Sequence, residues 1–86
     1  MNIYVGNLNS SAGENELWEL FSSFGNIKRL EIIIDKNTNH SMGFAFVEMD
    51  YDLEGQQAIS HLNKMNFMGQ YLEVREVREQ AEKGKE

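Results

Sequence analysis

Met42-Gly43-Phe44-Ala45-Phe46-Val47-Glu48-Met49 decides how this chain folds. The stretch alternates with period two, which predicts a strand. Ala45, Val47 and Met49 share one side, and Met42, Phe44 and Phe46 share the other. Both sides are apolar, whereas the wet side of a half-buried strand is ordinarily polar. Either protein covers both, or one is an aromatic surface held open for a ligand. The chain has 86 residues, enough for one domain with a sheet and a helical layer on one side. Covering both sides would take more chain, so an open aromatic face is the expectation.

Working outward, Ile27 to Ile34 is β-branched and predicts a strand. Leu30 and Ile32 should face the core, with Arg29, Glu31 and Ile33 opposite. The polar segment 35–41 is a hairpin loop that pairs this strand antiparallel with the next. On the other side, Asp50-Tyr51-Asp52 leads into a helix over about Leu53 to Leu62, with Gly55, Ala58, Ile59 and Leu62 as its stripe. Asp50, Asp52 and Glu54 read as first-turn carboxylates of that helix.

Asn2 to Val5 predicts a strand, with Ile3 and Val5 inward and Tyr4 opposite. Glu14 to Phe24 predicts a helix, because Leu17, Leu20, Phe21 and Phe24 fall at helical spacing. Gly13 or Ser11 should cap its start, and Gly25 should end it in a left-handed C-cap. Trp18 lies off the stripe, a partly exposed ring on the helix shoulder. After the connection 63–69, Tyr71 to Val77 alternates as a last strand with Leu72 and Val74 inward. The domain spans 1–77, and the charged segment 78–86 is expected to be a disordered tail.

Strand, helix, strand, strand, helix, strand is the order of an α+β, ferredoxin-like β-α-β-β-α-β sandwich. Its four-stranded antiparallel sheet carries two helices on one face. The first and third strands are central neighbours there, so Tyr4, Phe44 and Phe46 should cluster on the open side.

Composition narrows the function. There is no cysteine, hence no disulfide frame or thiolate chemistry. No apolar run is long enough to span a bilayer, and the N-terminus lacks the charged and apolar regions of a signal peptide. A cytoplasmic location is the expectation. A net charge of −6 argues against holding nucleic acid mainly through a broad electrostatic field. Asp50, Asp52, Glu54 and Gly55 imitate the start of a calcium loop, but the position for its bidentate glutamate is His61. His40 and His61 have no acid or nucleophile at recognisable spacing, and no Walker, HExxH or GxSxG motif occurs. The expectation is no enzyme, no cofactor and no metal.

Two motifs then resemble a known family, the RNA recognition motif. Ile3-Tyr4-Val5-Gly6-Asn7-Leu8 resembles its RNP2 hexamer, and residues 42–49 resemble its RNP1 octamer, K/R-G-F/Y-G/A-F-V-x-F/Y. Leu17 to Gly25, the Ala58-Ile59 pair with Leu62-Asn63, and Gly69 to Val74 also sit at family spacing. The resemblance covers about residues 2 to 77, and the compact single-domain form is similar to the stand-alone bacterial members.

It implies that Tyr4 and Phe46 each stack on a base of single-stranded RNA, or of single-stranded DNA, with Phe44 against the sugars. Lys28, Arg29, Lys36, Arg75 and Arg78 would contact phosphates or base edges. Asn2, Glu31, Glu73 and Arg75, with backbone groups of residues 77–80, would set sequence choice. The chain departs from the pattern at Met42, where the family has Lys or Arg, and at the core-facing Met49. Weak to moderate binding by a monomer, with a shallow salt dependence, is therefore expected. The alternative is a protein-interaction domain of this fold, taking a basic partner on the helical side around Trp18.

Overall fold

The computed structural model describes residues 1–78. The segment expected to be a tail lies outside the described residues apart from Arg78. Eight elements follow in order: strand β1 (Asn2–Gly6), helix α1 (Glu14–Ser22), strands β2 (Ile27–Ile34) and β3 (Ser41–Met49), helix α2 (Asp52–Leu62), and strands β4 (Asn66–Phe67), β5 (Gln70–Tyr71) and β6 (Glu73–Val77). The main sheet has the order β2-β3-β1-β6 with every pairing antiparallel. The central pair is β1 and β3, as the strand-helix-strand order predicts.

The helices cover one face of this sheet. Ile3 and Val5 of β1, Ala45, Val47 and Met49 of β3, and Val74 of β6 are buried against Leu17 and Phe21 of α1 and Ala58 and Leu62 of α2. Leu30 and Ile32 of β2 pack at the margin of this core. Burying a large aliphatic or aromatic side chain in this way is worth ~1.5–3 kcal/mol relative to leaving it in water. Gly55 is also buried on α2, and a Cβ there would press on Met1.

Three local expectations are corrected and one is met. First, α1 stops at Ser22 rather than Phe24, and its C-cap Ser23 is right-handed at φ −69°. Gly25 adopts no left-handed conformation. Its missing side chain makes room for Glu54, whose Cβ would lie 2.8 Å from a Cβ at position 25. The Asn26 N–H donates to Glu54 Oε1 at 3.3 Å, so this glycine serves a close approach between loop and helix. Second, of the two expected caps Gly13 is the N-cap; having no side chain, it receives only the returning half of a capping box, its N–H donating to Glu16 Oε1 at 2.8 Å.

Third, α2 begins at Asp52 with Tyr51 as N-cap, so Asp50 precedes the helix and only Asp52 and Glu54 are in its first turn. Fourth, Tyr71 does not belong to the last strand of the sheet. Met68 and Gly69 have φ of 54° and 88°, the two left-handed centres of a type I′ turn. That turn folds β4 onto β5, with Phe67 opposite Gln70, and the sheet strand resumes at Glu73. The edge strand β6 is then tied to the end of α2, because the Val74 N–H donates to Asn63 Oδ1 at 3.0 Å.

Candidate nucleic-acid interface

Antiparallel register arranges the open face as rows running across the sheet. Glu31 of β2 lies opposite Phe46 of β3, Phe46 opposite Tyr4 of β1, and Tyr4 opposite Arg75 of β6. The neighbouring row reads Arg29, Glu48, Asn2, Val77. On the other side Phe44 faces Gly6, and Gly6 faces Glu73. A polar and apolar grid with three aromatic rings at its centre is thus built from residues far apart in sequence.

The rings form a nearly equilateral triangle. Tyr4 and Phe44 have centroids 6.0 Å apart, Tyr4 and Phe46 5.9 Å, and Phe44 and Phe46 6.0 Å. Tilted and edge-on contacts at these separations are favourable for ring quadrupoles, at ~0.5–1.5 kcal/mol per pair. Phe46 is the most exposed of the three at 38%. Tyr4 lies along its own strand over Gly6, where an added Cβ would meet ring atoms at 2.7 and 2.8 Å. Gly6 is the floor of that ring. Gly43 shapes the adjoining strand: its φ is +89°, its N–H donates to Ser41 Oγ at 3.1 Å, and its carbonyl accepts from the Leu8 N–H at 2.9 Å.

The cations on this face have carboxylate neighbours. Lys28 Nζ and Arg29 Nε each lie 4.0 Å from Glu48. Arg75 Nε lies 3.5 Å from Glu73, and its guanidinium carbon sits 4.4 Å from the Tyr4 ring centroid. Arg75 therefore covers a ring that the sequence resemblance assigns to a base. Exposed pairs of this kind contribute only ~0–1 kcal/mol each, but they take positive potential away from a passing phosphate.

Of the residues expected to act, Tyr4, Phe44, Phe46, Asn2, Lys28, Arg29 and Arg75 converge on the open face. Lys36 does not; it stands in the exposed loop between β2 and β3. Arg78 does not either. Its partner is Glu76 at 3.9 Å, and Glu76 is registered with the core-facing Ile3, which puts the pair on the helix side of the sheet. Met42, at the position where a basic residue was expected, is 53% exposed.

Three features escaped the sequence reading. Next to Phe46, a recess of about 270 Å³ is lined by Asn2, Arg29, Glu31, Phe46, Glu48 and Val77 among others. Glu48, to which the sequence analysis gives no role, is a wall of this recess. The β4–β5 hairpin is anchored to the end of β1: Asn7 Nδ2 donates to the Tyr71 carbonyl at 2.8 Å, and Gln70 Nε2 donates to the Asn7 carbonyl at 2.9 Å. The Asn7 side of this clamp has a left-handed φ of 57°, and an asparagine after glycine at a strand end was the available signal.

Comparison with known proteins places these features among relatives. Residues 3–73 match the RNA recognition motif family model. The chain is 38% identical over 84 residues to "Putative RNA-binding protein RbpE" of Nostoc sp., covering 98% of this chain and 85% of that protein. It is 39% identical over 74 residues to "Putative RNA-binding protein RbpA" of Synechocystis sp., covering 86% and 73%. Among solved structures, it superposes on the crystal structure of RNA binding protein PG1 with a TM-score of 0.88 at 40% identity, covering 92% of this chain and 95% of that one. A Sxl-lethal protein/RNA complex matches with a TM-score of 0.85 at 37% identity, covering 88% and 47%.

Proposed function

The chain belongs to the RNA recognition motif family, and on that premise we propose that it binds short single-stranded RNA on the open sheet face, without catalysis. The observation that carries this reading is the ring triangle, with all three separations between 5.9 and 6.0 Å on the side of the sheet away from the helices. Unpaired bases present π-faces, and each base stacked on an aromatic ring contributes ~1–3 kcal/mol with little sequence preference. Two stacked bases supply at most ~6 kcal/mol, equivalent to a dissociation constant of about 40 μM. Electrostatics adds little, because Glu48 and Glu73 hold Lys28, Arg29 and Arg75. Binding is accordingly weak to moderate, with few phosphates neutralised and a shallow salt dependence. Such a short footprint favours target selection through several linked copies or partner proteins.

A backbone-amide NMR titration with a pool of short single-stranded RNAs at low salt tests this reading. Shifts confined to Tyr4, Phe44, Phe46 and their strand neighbours are expected. A silent sheet in a folded protein refutes it.

One observation favours a second reading. Glu14, Glu16 and Glu19 in α1 and Asp52 and Glu54 in α2 have no Lys or Arg beside them in either helix, and Trp18 is 47% exposed on α1. A basic protein partner on the helical side would suit that surface. Amide shifts around Trp18 on adding a basic peptide, with the sheet unmoved, would favour it over RNA.

A further inference from the structure

We infer that Glu31 selects guanine for the base that stacks on Phe46. The inference rests on the proposed RNA reading and adds the chemistry of one base position. Phe46 is the ring left most open, and Arg75 covers Tyr4 but not Phe46. Among the described residues, Phe46 is thus the platform a base reaches without displacing a cation. Directly across the β2–β3 ladder from it stands Glu31, and side chains opposite each other on one face of a sheet are in reach of one another. Glu31 also lines the recess beside the ring, together with Arg29, Asn2 and Glu48.

The two carboxylates of this recess differ in what they are free to do. Glu48 is held between Lys28 and Arg29. The Glu31 carboxylate has no ion-pair or hydrogen-bond partner among the described residues. Its two oxygens only accept hydrogen bonds. The edge of the stacked base that meets it must therefore donate.

Only guanine presents two adjacent donors, N1–H and the N2 amino group, matching both oxygens of one carboxylate. Adenine and cytosine each set a ring-nitrogen acceptor beside their amino group, so one oxygen meets a lone pair. Uracil has a single N3–H flanked by two carbonyls. In a single strand these Watson–Crick edges are exposed and are the edges proteins read. A good bidentate pair discriminates by ~1–3 kcal/mol. At this exposed position the low end applies, a preference of about 5- to 10-fold.

The test uses the whole chain and four RNA pentamers, U-U-X-U-U with X as G, A, C or U, titrated by fluorescence anisotropy. The Phe46 amide is followed by NMR in the same samples. Wild type is expected to bind the G pentamer about 5- to 10-fold more tightly than the other three. In Glu31→Gln one acceptor becomes a donor, so the G preference should shrink to about 2-fold or less. Affinity for the all-uridine pentamer should rise, because a negative charge beside the strand is gone. If the Phe46 amide shifts but wild type shows no G preference, or Glu31→Gln keeps it, the role of Glu31 is overturned while stacking on Phe46 stands. If no pentamer moves the Phe46 amide, the RNA reading and this inference both fail.

Discussion

Replacing Tyr4 by alanine is expected to weaken RNA binding less than replacing Phe46, because Arg75 already occupies the Tyr4 face. Its guanidinium carbon lies 4.4 Å from that ring centroid, and its Nε lies 3.5 Å from Glu73. A base that stacks on Tyr4 must displace a cation–π contact worth ~0.5–1 kcal/mol at an exposed site. It must also disturb an exposed ion pair worth ~0–1 kcal/mol. Among the described residues Phe46 has no such cover, so a base gains the full ~1–3 kcal/mol there. Phe46→Ala should then weaken binding by roughly 5- to 150-fold. Tyr4→Ala should cost ~0.5–2 kcal/mol less, a gap of about 2- to 30-fold. The assay is anisotropy titration of each variant with one short labelled RNA at matched salt. Urea unfolding serves as a control. Each ring makes two ring contacts at 5.9 and 6.0 Å, so either variant should lose ~1–3 kcal/mol of stability, within the ~5–15 kcal/mol of a folded domain. In an Arg75→Ala background the Tyr4 ring loses that cover, and Tyr4→Ala should cost more than it does with Arg75 present, approaching the cost of Phe46→Ala. Equal losses for Tyr4→Ala and Phe46→Ala, unaltered by Arg75→Ala, would show that Arg75 does not compete with a base.

Met42→Lys restores a cation at an exposed strand position; it should tighten RNA binding and steepen the log–log salt slope by ~0.7, the value for one single-strand phosphate. An unchanged slope would mean that phosphates do not pass that edge. Glu48→Gln releases Lys28 and Arg29 from their shared carboxylate; the salt slope should steepen by up to ~1.4, for two further phosphates, and an unaltered slope would mean the two cations do not meet the strand. Gly43→Ala meets nothing closer than the Leu8 carbonyl oxygen at 3.7 Å, so its cost is conformational. With φ at +89° a loss of ~1–2 kcal/mol in urea unfolding is expected, and a loss near zero would show that the strand relaxes around an alanine.

Much of the fold was legible because burial imposes periodicity. The inward set Ala45, Val47, Met49 and the stripe Leu17, Phe21 follow from periods of two and of 3.6, and all five are buried. Element ends were less legible. Gly25 has the position of a C-cap in sequence, but the approach of Glu54 from another element gives it a different task. Tyr71 alternates with the strand that follows, yet the left-handed pair Met68 and Gly69 turns it into a separate hairpin. Methionine gives no sequence signal for positive φ.

The sequence by itself determined that three aromatic rings share the side of an antiparallel sheet opposite its core-facing residues, since alternation assigns every strand residue to a face. Only the tertiary structure decided what surrounds each ring. Arg75 meets Tyr4, and Glu31 meets Phe46, through cross-strand register between segments remote in sequence. Local pattern fixes the side on which a residue lies; lateral neighbours depend on how separate strands slide against one another, and that is settled by the packing of the whole core.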